Sequence, residues 1–122
     1  MEIFAIALQV IVALGLLNVW ILRFNRETPY RGKDARSMRE EFAAYGLPPL
    51  ALYMVGGLKI LASLALLLGI WLPALVLPAA AIIVLLMLGA LAMHLKVGDP
   101  AIKSVPALTV LLLTAGILLL RI

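Results

Sequence analysis

The sequence predicts an all-α fold: a membrane-embedded four-helix bundle with one short interfacial amphipathic helix between the first and second spans. Three observations carry this. Of the 122 residues, 66% are hydrophobic and only 13% charged, too little polar surface to clothe a soluble core. Mean hydropathy is +1.19. The apolar residues also gather into four runs of membrane-crossing length, and in hydrocarbon every backbone amide needs an internal partner, so such runs are helices. Together these exclude a disordered chain, a coiled coil and a two-domain enzyme. The chain reads as a single domain over 1–122.

The first run, Ile3 to Leu22, carries no charge and spans roughly 30 Å. A signal peptide is the competing reading, but Glu2 stands where a basic n-region belongs and the run is long, which favours a retained helix. The second helix runs over about 50–72, after Pro48 and Pro49, residues that suit a helix start. The third covers about 74–95, and the tight link at Trp71, Leu72 and Pro73 makes it the antiparallel neighbour of the second. The fourth covers about 105–120, with Ser104 as N-cap and Pro106 in its first turn.

Residues 23–49 are the one long polar segment and hold most of the charged residues. Met38, Phe42 and Tyr45 fall on one face of a short helix that Asp34 caps and Gly46 ends. Such a helix lies in the headgroup region with its apolar face down; the bland alternative is a solvated loop with a helical turn. Arg23, Arg26, Arg31, Lys33, Arg36, Arg39, Lys96 and Lys103 all fall in the loops on one side, and only Arg121 lies opposite. The positive-inside rule then places loops 23–49 and 96–104 in the cytoplasm and both termini outside, in a multi-pass protein of the cell (inner) membrane. Trp20 and Tyr53 fall at the inner interface and Trp71 at the outer one, as an aromatic belt. The net charge of +4 reports this orientation and contact with anionic lipid, not nucleic acid.

Lys59 is the lone charge inside an apolar run, roughly 13 Å into the second span. A charge at that depth costs about 2.5 kcal/mol or more, so something must offset it. The ammonium snorkels to the inner headgroups, or faces a polar pocket, or is held neutral. Gly56, Lys59 and Ser63 share one helix face, and glycine there permits close approach of a helix or ligand. Asn18, His94 and Thr109 lie in the same half of the membrane, so a bundle can converge Asn18, Lys59, Ser63 and His94 into one cytoplasm-facing polar cavity. Each has a plainer reading. Thr109 bonds its own preceding carbonyl. Asn18 glues helices together, and His94 is an interfacial residue favoured at a helix C-terminus. Gln9 lies in the outer half, apart from this group. His94, Lys96 and Asp99 share a short loop, but these are too few ligands for a metal, and Gly98-Asp99-Pro100 reads first as a turn.

Other chemistries lack their residues. The chain has no cysteine, which removes disulfides, thiolate metal sites and thiol catalysis. A single histidine excludes bis-histidine haem ligation within one subunit. No Walker or Rossmann glycine motif is present. No carboxylate lies inside a run, which argues against a small four-helix drug exporter.

Phe42-Ala-Ala-Tyr-Gly-Leu-Pro48, Gly56-Gly-Leu-Lys59, Leu66-Leu-Leu-Gly69 and His94-Leu-Lys-Val-Gly-Asp-Pro with Ser104-Val-Pro106-Ala resemble DoxX-like membrane proteins over most of the chain. The resemblance implies a single four-helix transmembrane domain. Relatives of that kind include subunits linked to thiosulfate oxidation and quinone reduction, companions of oxidative-stress proteins, and assembly factors. Many carry an acid where Lys59 stands. The expectation is a binding or accessory protein without a resident cofactor. It holds a lipid, a quinone or a partner helix, with Lys59 donating to a carbonyl or anionic head that Asn18 orients. The rivals are an intramembrane enzyme using His94 or Lys59 for proton transfer, and a purely structural protein. Its glycines also permit a homodimer or packing against a partner membrane protein.

Overall fold

The computed structural model describes residues 2–25, 29–32 and 35–122. Among the described residues five α-helices are present: α1 (Glu2–Leu17), α2 (Met38–Ala44), α3 (Pro49–Leu68), α4 (Val76–Lys96) and α5 (Val105–Arg121). A π-helical turn, Asn18–Leu22, extends α1, closed by the Arg23 N–H on the Asn18 carbonyl at 3.0 Å. With short 3-10 turns before α4 and α5, four segments among the described residues are long and apolar enough to cross a membrane, the shortest of 20 residues. The chain is a multi-pass membrane protein.

The spans pack in the cyclic order α1, α3, α4, α5, with α5 returning to α1. Leu8, Val12 and Leu16 of α1 meet Leu66 of α3, Ile83 of α4 and Ile117 of α5 in the central core. Leucines on the outer faces, among them Leu61, Leu85, Leu112 and Leu119, are exposed, as lipid-facing positions are. Gln9 is wholly buried; its amide donates to the Leu66 carbonyl at 3.0 Å and its oxygen accepts from Arg121 at 2.8 Å. This ties α1 to α3 and α5 at the end away from the basic loops.

Several boundaries differ from the sequence expectation. α3 stops at Leu68, not near residue 72; the chain tightens there into turns, with Ile70 and Trp71 N–H donating to the Leu67 and Leu68 carbonyls, and a Cβ at Gly69 would lie 2.5 Å from Val76 Cγ2. Pro73–Leu75 forms a 3-10 turn, so α4 starts at Val76. Ser104 precedes α5 but its hydroxyl caps nothing. α2 is capped by Ser37, whose Oγ accepts from the Glu40 N–H at 3.2 Å. Asp34, the expected cap, lies outside the described residues, as do Arg26 and Lys33. Gly46 ends the α2 region with φ of +79°, a backbone conformation that glycine adopts without strain.

α2 does not float on lipid. Met38, Phe42 and Tyr45 are buried against Trp20 and Leu52 in a second apolar cluster at the basic end of the bundle. Phe42 meets Trp20 edge-on at 5.9 Å, and the Arg39 guanidinium lies over both Phe24 (5.8 Å) and Tyr53 (5.5 Å). The apolar face has protein beneath it, so α2 is a cap on the bundle. Trp20 correspondingly sits inside and not in an aromatic belt, whereas Trp71 at the opposite end is 74% exposed.

Candidate functional site: a capped cavity at the basic end

Beneath the cap lies a cavity of about 850 Å³, within the range of small-molecule sites. Its polar end is built by residues from every helix. The π turn places Asn18 and Trp20 on its wall, and π turns recur at functional sites because the extra residue re-aims the side chains that follow. α3 supplies Lys59, α4 supplies His94, α2 supplies Glu41, and Tyr45 follows just after α2.

Lys59 is 9% exposed, and its Nζ lies 5.0 Å from the Trp20 ring centroid. Gly56, one turn earlier, makes this stacking possible: a Cβ there would fall 2.6 Å from the indole. Among the described residues, no carbonyl or carboxylate oxygen is hydrogen-bonded to this ammonium. Glu41 is near enough to act on it through space.

Glu41 is itself committed. Arg31 Nη1 donates to its Oε2 at 3.0 Å, and the Gly32 N–H and the Tyr45 hydroxyl donate to Oε1 at 3.2 and 2.6 Å. Arg31, nearly inaccessible, also donates to the carbonyls of Arg23 and Phe24. Burial, followed by the hydrogen bond to Glu41 and the charge on that carboxylate, pushes the Tyr45 hydroxyl well above the usual tyrosine range. Two lysines latch the cap: Lys96 donates to the Tyr45 carbonyl at 2.9 Å and Lys103 to the Arg31 carbonyl at 2.7 Å. His94 Nδ1 lies 2.7 Å from Asp99 Oδ2, and its ring meets Tyr45 edge-on at 5.9 Å. The turn 98–100 therefore also orients a buried imidazole.

The structure thus brings Asn18, Lys59 and His94 to one cavity and turns Ser63 away from it. Ser63 is fully buried, and its hydroxyl donates to the Lys59 carbonyl at 2.7 Å. Thr109 lines the cavity but spends its hydroxyl on the Val105 carbonyl. Sequence reasoning missed Trp20, Arg31, Glu41, Tyr45 and Lys103 as site residues. Glu41 did leave a signal: it lies three residues after Met38 and four before Tyr45, an acid on the apolar face of α2. Arg31 and Lys103 left none.

Chemically, the site offers a buried cation, an amide and an imidazole–carboxylate pair beside apolar walls. No group of three or more metal-ligating side chains occurs among the described residues. The model of the DoxX-like family matches residues 7–117, nearly the whole chain. No curated protein and no solved structure matches.

Proposed function

The chain belongs to the DoxX-like family, and from that premise we propose that it is a membrane binding or accessory protein that holds an amphiphile, such as a lipid or a quinone. The observation that carries this is Lys59, a residue only 9% exposed whose ammonium rests on the Trp20 ring and is hydrogen-bonded to no described residue, at the wall of a cavity with room for a ligand. A buried charge is costly until it is paired, and a carbonyl or anionic head supplies the pair. Asn18, whose side chain makes no hydrogen bond among the described residues, orients that head, and the apolar wall takes the tail. We place the basic end in the cytoplasm, since basic loops stay inside.

The test is extraction of lipids and quinones from the purified protein and from Lys59→Leu, with quantification by mass spectrometry. A hydrogen bond to a charged group contributes about 1.5–3 kcal/mol, so the variant retains roughly tenfold less ligand or lower still. Equal ligand content in the two proteins overturns the assignment of Lys59. A second reading, an intramembrane enzyme, is favoured by one observation, the buried His94–Asp99 pair suited to proton transfer. It requires turnover of an extracted ligand that Asp99→Asn abolishes without loss of binding.

A further inference from the structure

We propose that the ligand is a hydroxyl-bearing acyl ester, such as a monoacylglycerol, whose free O–H donates to His94 Nε2 while its ester carbonyl accepts from Lys59. This rests on the binding reading above and narrows it. The first support is the state of the imidazole. A carboxylate only accepts, so the 2.7 Å contact between Nδ1 and Asp99 Oδ2 fixes the ring proton on Nδ1. The neutral ring then presents a lone pair at Nε2. Nε2 has no hydrogen-bond partner among the described residues. Nor is it sealed in: among the described residues, every side-chain nitrogen or oxygen shut off from open space has a partner. Nε2 therefore faces free space, and His94, only 6% exposed, lines the cavity. The same reasoning opens the Lys59 ammonium and the Asn18 amide onto that space. The cavity thus offers a donor at Lys59, an acceptor at His94 and a group of both kinds at Asn18. A head with acceptors alone, such as a ketone or a fully esterified lipid, leaves the imidazole lone pair unmet, which is costly once the site is filled.

The second support is depth. At the basic end α3 begins and α4 finishes, and Lys59 is the eleventh residue in from that end of α3 whereas His94 is the third in from that end of α4. The acceptor therefore lies nearer the basic end than the donor, although the lysine stem, tilted toward the start of its helix, closes part of the difference. An aromatic row joins the two. The ammonium rests on Trp20, Trp20 meets Phe42 at 5.9 Å, Phe42 meets Tyr45 at 6.1 Å, and Tyr45 meets His94 at 5.9 Å. A ligand lying along this wall has its hydroxyl outermost, a carbonyl further in and its alkyl chain deepest, where Val12 and Met87 line the cavity. A monoacylglycerol carries its groups in that order; a fatty acid has no O–H outboard of its carboxyl group.

The test uses the full chain in phosphatidylcholine nanodiscs with three neutral probes. Monopalmitoylglycerol has both groups, its dimethyl ether lacks the O–H, and monohexadecylglycerol, linked by an ether, lacks the carbonyl. Binding is measured by native mass spectrometry. Loss of the hydroxyls weakens binding about fivefold or more in the parent and not in His94→Phe. His94→Gln, whose amide oxygen accepts in place of Nε2, keeps the preference. Loss of the carbonyl weakens binding about fivefold or more in the parent and not in Lys59→Met. Because the chain has a single histidine, nitrogen NMR of histidine-labelled protein reads the ring directly. The proton lies on Nδ1 in the free protein, and monopalmitoylglycerol shifts the Nε2 resonance while its dimethyl ether does not. Equal binding of those two probes, or a ring protonated at Nε2 before ligand is added, overturns the hydroxyl assignment and leaves the binding reading standing. Equal binding of the ester and the ether overturns the pairing of Lys59 with the carbonyl. Binding of none of the three probes overturns the acyl-ester proposal, and the binding reading falls with it only if the purified protein also yields no lipid or quinone.

Discussion

Glu41 and Tyr45 show how a charged group is retained inside an apolar protein. The carboxylate has three donors of different kinds, and Arg31, which balances it, is held in turn by backbone carbonyls. Removing Glu41 strips the buried Arg31 of its carboxylate, and breaking a buried ion pair costs about 3–5 kcal/mol. Glu41→Ala is therefore expected to lower thermal stability in detergent sharply, while Glu40→Ala, on the exposed side of α2, changes it by less than about 0.5 kcal/mol. Tyr45 supplies a pH dependence. Its raised folded-state pKa means the folded protein keeps a proton that the unfolded chain releases near pH 10. Its contribution is then complete below about pH 10 and falls by roughly 1.4 kcal/mol per unit as pH rises further. Tyr45→Phe loses a hydrogen bond at neutral pH, yet its stability declines less steeply above pH 10, as chemical denaturation across pH 8–12 will show.

Among the elements, glycine positions separate tight contacts from open space. Gly56→Ala drives a methyl into Trp20 and is expected to cost about 1–3 kcal/mol and to shift indole emission, because the ring must leave Lys59. Gly57→Ala, its neighbour, meets nothing and leaves both readouts unchanged. The four spans were legible in the sequence because hydrocarbon forces apolar runs into helices whatever their neighbours. The role of α2 was not. An apolar stripe of Met38, Phe42 and Tyr45 reads the same whether lipid or protein lies under it, and only tertiary contact with Trp20 and Leu52 settles which. Ser63 shares a helix face with Lys59, but its hydroxyl turns back onto the backbone carbonyl four residues earlier.

For the molecule as a whole, sidedness is the open arithmetic of the basic loops. With no native cysteine, single replacements report it cleanly. In right-side-out vesicles, a membrane-impermeant maleimide is expected to label Trp71→Cys and spare Arg36→Cys, and inverted vesicles reverse the pattern; the opposite result would invert the topology. Residue depths along each span were readable from numbering alone, and Asn18, Lys59 and His94 line one cavity. Arg31 and Lys103 were invisible because their partnership spans 72 residues of chain. That separation has a consequence for biogenesis. While the ribosome is still making α3 and α4, Arg31 stands in the nascent chain before its latch, Lys103, has been translated. The cap over the cavity is therefore latched only after α1 to α4 have all been made.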